Sequence, residues 1–151
     1  MIKAISGVAL PIVAYVVIAL ALNGVAGVMQ PPMSAGPGEG ILTTFAADGG
    51  DPYDRRLEIF EDEGALWVVS VQHFRQWYDR LDANPEVVLN REGEKLRLRA
   101  VPVDDDARLE RIAQMMKQRM GGPRYYLMQA LWMLADWKLV RLEAIRPTSE
   151  S

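Results

Sequence analysis

A long stretch without charge constrains this chain more than any other feature. No charged side chain occurs between Ala4 and Gly38, and Lys3 is the one charged residue ahead of Glu39. The apolar part, Val8 to Val28, has about 21 residues, and a helix of that length spans the roughly 30 Å hydrocarbon core of a bilayer. It has no polar face, so a helix packed on a soluble domain fits less well. We predict an N-terminal transmembrane helix within residues 1–30.

A cleaved signal peptide is the alternative interpretation of this segment. Val25, Ala26 and Gly27 resemble a small-residue cleavage site, although a signal peptide normally has an apolar region of only about 7–15 residues. Lys3 precedes the stretch, and the first basic residue after it is Arg55. The positive-inside rule then predicts a single-pass membrane protein with a cytoplasmic N-terminus and a periplasmic or extracellular domain.

The composition excludes several classes of function. The chain has no cysteine and one histidine, so disulfides, thiolate catalysis and Cys/His zinc sites are excluded. We expect Asp104, Asp105 and Asp106 to cap a helix rather than to bind a metal, and no metal site is predicted. The net charge of −3 gives no support for binding nucleic acid.

The rest of the chain divides into a short linker and one domain. Residues 31–40 are rich in proline and glycine and predict a linker, and residues 41–151 form the domain. Apolar and β-branched runs predict a strand at 41–46 and two hairpins. The strands of the hairpins are 56–60 with 65–71, and 87–89 with 95–101.

Helical patterns lie between and after these hairpins. Residues 73–83 carry one apolar stripe and end at Asn84-Pro85, and a second helix follows Asp106 and ends near Gly121. Residues 124–137 are unusually apolar, which suits a helix against the bilayer or a membrane partner. A last strand covers 138–146. This order predicts an α+β fold, a small antiparallel β-barrel with flanking helices.

About two thirds of the chain resembles a known family. The resemblance rests on Leu66–Ser70 (LWVVS), Gln76–Leu81 (QWYDRL), Ala83–Val87 (ANPEV) and Arg99–Val103 (RAVPV). These segments are similar to the deazaflavin-dependent nitroreductase family, a branch of the FMN-binding split-barrel fold. The resemblance implies a split barrel and a reductase that passes hydride from a reduced deazaflavin to quinones or nitro compounds, often at membranes.

The resemblance also implies site residues. For the cofactor, the deazaflavin coenzyme or FMN, these are Arg55, Arg56, Ser70, Gln72 and Trp77. For a quinone-like or nitroaromatic substrate they are the two tyrosines shortly before the last strand, Tyr125 and Tyr126. No catalytic residue is assigned.

One departure from the family leaves two functions open. Members that bind the deazaflavin carry a Gly-Arg-x-Ser-Gly-x-x-Arg stretch, which would hold the cofactor's phosphate and acidic tail. Here Ala46–Arg56 (AADGGDPYDRR) adds three aspartates, and eight acidic residues face two arginines between positions 39 and 63. The first interpretation is a membrane-anchored reductase. The second is a non-catalytic accessory subunit of an integral membrane complex, of electron-transfer or photosynthetic type, that has no cofactor.

Overall fold

A computed structural model describes residues 12–18, 21, 36–70, 76–131 and 136–145 of the chain. Residues 12–18 are helical (α1), and the domain follows. Its elements are β1 (Glu39–Thr44), β2 (Tyr53–Glu58), β3 (Phe60–Asp62), β4 (Ala65–Ser70), α2 (Gln76–Asp79) with a 3₁₀ turn (Arg80–Asp82), β5 (Glu86–Arg91), β6 (Glu94–Val103), α3 (Asp106–Met120), α4 (Gly122–Leu131) and β7 (Lys138–Ala144).

The strands form one antiparallel sheet whose two edges are adjacent in sequence. The order across the sheet is β2-β1-β5-β6-β7-β4-β3. Since only Ile59 separates β2 from β3, the sheet must curl until its two edges lie next to each other. The result is a curled half-barrel with helices, which confirms the predicted α+β class and the antiparallel barrel.

Both backbone groups of Ile59 are hydrogen-bonded at this junction, and its side chain is buried. Its N–H donates to the Gly38 carbonyl at 2.9 Å, and its own carbonyl accepts from Nη1 of Arg119 at 3.0 Å. Its side chain is buried in the barrel core. A Cβ on Gly40 would lie 2.7 Å from Cδ1 of Leu89 and 3.2 Å from Cγ1 of Ile59, so glycine is needed at position 40.

Two hydrophobic clusters lie on opposite faces of the sheet. Along β4, Val68 faces the barrel interior, whereas its neighbour Trp67 faces the outer helices, as strand alternation requires. The barrel cluster comprises Leu42, Ile59, Val68, Trp77, Leu81, Val87, Leu89, Leu98, Ala100, Val140 and Leu142. The outer cluster comprises Phe60, Trp67, Ile112, Met116, Tyr125 and Leu139.

Local sequence signals set the ends of several elements. Glu92 and Gly93, between β5 and β6, have φ of 54° and 85°, the left-handed pair that a tight two-residue hairpin requires. Asp105 caps α3, and its carboxylate accepts from the backbone N–H of Arg108 at 2.9 Å. That hydrogen bond holds the pKa of Asp105 below its usual value. The predicted capping role of this aspartate is confirmed.

The predicted first hairpin is wrong in its pairing. Residues 53–58 pair with β1, with Arg56 opposite Ile41, and only β3 pairs with β4. The strand is interrupted at Ile59, and the segments before and after it, β2 and β3, lie at opposite edges of the sheet. Elsewhere only boundaries differ: β1 begins at Glu39, within the predicted linker, and α4 begins at Gly122 rather than at residue 124.

The predicted membrane segment lies largely outside the described residues, which include only 12–18 and 21 of the span from 8 to 28. Among the helices that the structure does describe, none combines the length and the apolar character needed to cross a bilayer. The anchor therefore stays a prediction.

Replacing Trp77 by alanine tests the barrel core. Trp77 is 4% exposed, so we expect Trp77→Ala to lower the free energy of unfolding by about 3–5 kcal/mol. Tyr126 is 56% exposed, and Tyr126→Ala should cost less than about 1 kcal/mol. Urea unfolding followed by circular dichroism measures both. Equal losses in the two variants would contradict the assignment of Trp77 to the core.

Candidate functional site

Three of the predicted cofactor residues lie on the barrel side of the sheet. Ser70 is two residues from Val68 on β4 and so shares its inward face. Arg55 lies directly opposite Leu42, which is also in the barrel core. Trp77 enters the same core from α2. The fold therefore places Arg55, Ser70 and Trp77 on one side, while Gln72 lies outside the described residues.

Ser70 has the most unusual environment of the three. The residue is 3% exposed, and its Oγ atom has no hydrogen-bond partner within the described part of the chain. By contrast, the buried hydroxyl of Thr44 donates to the Tyr53 carbonyl at 3.4 Å. A buried hydroxyl without a partner costs stability that a ligand's polar atom would recover.

The two predicted arginines do not form one anion site. Arg55 is 6% exposed and faces the barrel, whereas its neighbour Arg56 lies on the outer face of β2. Nε of Arg56 is 3.7 Å from the carboxylate of Glu39. Glu58 lies opposite Glu39 in the sheet, and burial raises its pKa, with Arg119 acting to lower it and Glu39 to raise it further.

The two predicted substrate tyrosines are separated from each other and from the cofactor residues. Tyr125 is 7% exposed and packs in the outer cluster, on the other face of the sheet from Ser70. Tyr126 points to solvent, where its hydroxyl accepts from Nζ of Lys117 at 2.7 Å. Lys117 also lies 4.8 Å from the centre of the Tyr126 ring. The structure does not bring this pair to the barrel side, and their substrate role stays a prediction.

Two neighbouring depressions share Phe45, the first residue after β1. The first, of about 460 Å³, is lined by Phe45, Ala46, Ala47, Gln76, Asp79, Arg80 and Ala83. The second, of about 330 Å³, is lined by Phe45, Gly49, Asn84, Glu86, Val87, Val88 and Arg97. Residues 45–52, which we name the β1–β2 loop, line both depressions and lie where the resemblance implies a phosphate-binding stretch.

Hydrogen bonds close this loop on itself. The Ala46 N–H donates to the Gly50 carbonyl at 3.1 Å, and the Gly49 N–H donates to the Ala46 carbonyl at 2.9 Å. The Gly50 N–H donates to the Asp48 carboxylate at 2.9 Å. Three backbone donors that an anion would need are therefore engaged within the loop.

Two side chains tie the loop to the rest of the domain. Nδ2 of Asn84 donates to the Ala46 carbonyl at 3.2 Å, while Oδ1 of Asn84 accepts from the Glu86 N–H at 3.1 Å. Nη1 of Arg80 donates to the Asp51 carbonyl at 2.5 Å. Sequence reasoning missed the place of Asn84 and Arg80 here, although both lie in the QWYDRL and ANPEV segments that carried the family resemblance.

Comparison with known proteins identifies the family. Residues 22–130 match the model of the F420H(2)-dependent quinone reductases, a match over more than half of the chain. The chain belongs to the F420H(2)-dependent quinone reductase family. This supports the predicted relation to deazaflavin-dependent reductases. The search of curated proteins gave no match.

Solved structures share the fold at low identity. HutZ, described as a heme storage protein from Vibrio cholerae, is 21% identical over 73% of this chain and 83% of its own, with a TM-score of 0.55. The F420-H2 dependent reductase FDR-A is 18% identical over 74% and 99%, also with a TM-score of 0.55. The conserved hypothetical protein Rv2991 from Mycobacterium tuberculosis is 18% identical over 83% and 79%, with a TM-score of 0.54. At these identities the likeness supports the split-barrel fold and nothing further.

The described residues fit one part of a deazaflavin better than the other. The unpartnered hydroxyl of Ser70 suits a polar edge of the ring system. The closed β1–β2 loop, with Asp48 and Asp51 exposed on it, does not suit a phosphate and an acidic tail. The described residues therefore offer a buried polar group on the Ser70 side of the barrel and no binding site for a phosphate in the β1–β2 loop.

Replacing Asn84 by alanine tests the attachment of the loop. Asn84→Ala removes two hydrogen bonds, so we expect a loss of about 1–3 kcal/mol and faster hydrogen exchange of the Gly49 amide. Asn90→Ala, at the far end of β5, is the matched control and should leave Gly49 exchange unchanged. Unchanged exchange in Asn84→Ala as well would show that the loop keeps its closed form without this residue.

Proposed function

We propose that this chain is a reductase that binds a reduced deazaflavin and reduces a quinone-like or nitroaromatic acceptor at a membrane. The family match over residues 22–130 supports the reductase class. The main support for the proposed site is that the Ser70 hydroxyl is buried and has no hydrogen-bond partner in the described part of the barrel. When bound, the reduced deazaflavin supplies the hydride.

The residues of this chain have binding and shielding roles in the proposal. The Ser70 hydroxyl donates a hydrogen bond to a polar edge of the ring. Trp77 and Leu81 close the barrel core beneath it, which keeps water away from the reacting face. No side chain among the described residues is assigned a proton-transfer role.

Ser70→Ala separates a binding role from a packing role. Because the Ser70 hydroxyl has no partner among the described residues, we expect Ser70→Ala to leave the thermal midpoint unchanged or raise it slightly. The same change should weaken binding of the deazaflavin about 5- to 15-fold, the value of one hydrogen bond. Titration of the full chain in detergent, followed by cofactor fluorescence, measures the affinity.

The same titration decides between the two functions left open by the sequence. The reductase proposal is contradicted if the folded chain binds no deazaflavin up to about a millimolar and does not reduce a soluble naphthoquinone. The acidic β1–β2 loop is the observation that favours the second function, the accessory subunit of a membrane complex. Unaltered affinity in Ser70→Ala would instead move the ring site elsewhere in the barrel.

We also propose that the N-terminal segment holds the domain at the membrane. In α1, Ile12, Val13, Val17 and Ile18 are all more than half exposed. The hydroxyl of Tyr15 donates to the Ala130 carbonyl of α4, and α4 itself exposes Tyr126 and Leu127. These apolar side chains lie on two helices in contact, as expected of a surface that meets lipid.

A charge placed in the segment tests the membrane proposal. Val17 is more than half exposed on α1, so a lysine there puts a charge on the surface proposed to meet lipid, and Val17→Lys should shift the chain from the membrane fraction towards the soluble one. Gln118→Lys, on α3, is the control. Release of the unaltered chain by an alkaline carbonate wash would contradict an anchor. Because the chain has no cysteine, Glu61→Cys gives one site for an impermeant maleimide, which reports the side of the domain.

A further inference from the structure

The charge around the β1–β2 loop bears on which form of the cofactor this chain accepts. The loop, the start of β2 and the two depressions expose five carboxylates, those of Asp48, Asp51, Asp54, Asp79 and Glu86. The two linings contain two cations, the half-buried Arg80 and the exposed Arg97, whose Nη2 is 3.6 Å from the Glu86 carboxylate. Among the described residues, carboxylates therefore outnumber cations on both sides of the loop.

The described arginines near the loop have neighbours of their own. Arg80 binds the Asp51 carbonyl, and its guanidinium lies 5.3 Å from the centre of the Tyr53 ring. Arg56 pairs with Glu39, and Arg55 faces the barrel core. Arg99 lies between two carboxylates in the sheet, opposite Glu86 on β5 and Glu143 on β7. Of these cations, Arg80 reaches the loop, and there it is engaged by a backbone carbonyl rather than left open as a phosphate clamp.

Two of these carboxylates accept structural hydrogen bonds, so their positions are defined. Asp48 accepts from the Gly50 N–H at 2.9 Å, and Asp54 accepts from the hydroxyl of Thr43 at 2.6 Å. A ligand tail that passed the loop would meet fixed negative charge and no free backbone donor at positions 46, 49 and 50. When one negative group of the tail lies about 10 Å from one loop carboxylate in water, their repulsion weakens binding roughly twofold.

We infer that this chain binds its cofactor through the ring and disfavours a long anionic tail, so that its preferred ligand is a deazaflavin with a short or uncharged side chain. This inference rests on the proposed function, since it concerns the same cofactor. It makes the Asp48, Asp51 and Asp54 carboxylates specificity determinants, which act by repulsion rather than by contact.

A tail-length series tests the inference by binding alone. The full chain in detergent is titrated with 5-deazariboflavin, with its 5′-phosphate and with F420 carrying two or five glutamates. We expect 5-deazariboflavin to bind best and each added carboxylate to weaken binding up to about twofold at low salt. The differences should shrink as salt is raised, because screening removes repulsion between exposed charges.

A triple variant locates the effect. In Asp48→Asn/Asp51→Asn/Asp54→Asn the amide oxygens can still accept from Gly50 and Thr43, so shape is kept while three charges are lost. Its affinity for long-tailed F420 should rise about five- to tenfold, and its affinity for 5-deazariboflavin should not change. The control, Glu92→Gln/Glu94→Gln/Glu110→Gln, loses the same charge at the far hairpin turn and on α3, and should leave the order of affinities unaltered.

The outcomes separate this inference from the proposed function. If long-tailed F420 binds more than tenfold tighter than 5-deazariboflavin, the inference is overturned and the reductase proposal stands. If the triple variant and its control change tail affinity equally, net charge rather than the loop is responsible, which also overturns the inference. If no member of the series binds to the folded chain, the proposed function fails, and the inference fails with it.

Discussion

The short joint at Ile59 is the constraint on which the rest of the domain depends. It connects the two edge strands of a seven-stranded sheet, so the sheet can satisfy this connection only by curling on itself. The joint is fixed through both of its backbone groups, by Gly38 on one side and Arg119 on the other. Arg119 belongs to α3, and its guanidinium also lies 4.7 Å from the centre of the Phe60 ring. Barrel closure and helix packing are thus coupled at one place.

Curling divides the molecule into an inside and an outside with different chemistry. The inside is an apolar core with Ser70 and Arg55 as buried polar residues on its wall. The outside has α3 packed on β3 and β4 and secured by charge, since Arg108 lies 2.7 Å from Asp62 and 4.6 Å from the centre of the Trp67 ring. The buried polar side chains therefore lie on the barrel side, whereas the outer face is occupied by helix packing.

Part of the fold follows from the sequence, because it depends on neighbours along the chain. The β5–β6 hairpin, with Leu98 and Ala100 inward and Arg97 outward, was predictable from alternation and from the Glu92-Gly93 turn. The cap at Asp105 and the end of α3 at Gly121 were equally local. The strand from Tyr53 was recognised only from Arg56 onwards. A strand begun at Tyr53 would already have placed Arg55 and Arg56 on opposite faces.

The site itself was decided by contacts between distant parts of the chain. The apolar first segment, the strand and helix periods and the acidic loop can be predicted from the amino-acid order, because each depends on side chains that are close in sequence. Three further features depend on long-range contacts: β2 pairs with β1 instead of β4, Asn84 and Arg80 bind the loop, and Ser70 lacks a partner among the described residues. Tyr125 and Tyr126 are adjacent in sequence, yet one packs in the outer cluster and the other is exposed. Such outcomes depend on which surfaces meet when the sheet curls, and local propensity does not contain that information.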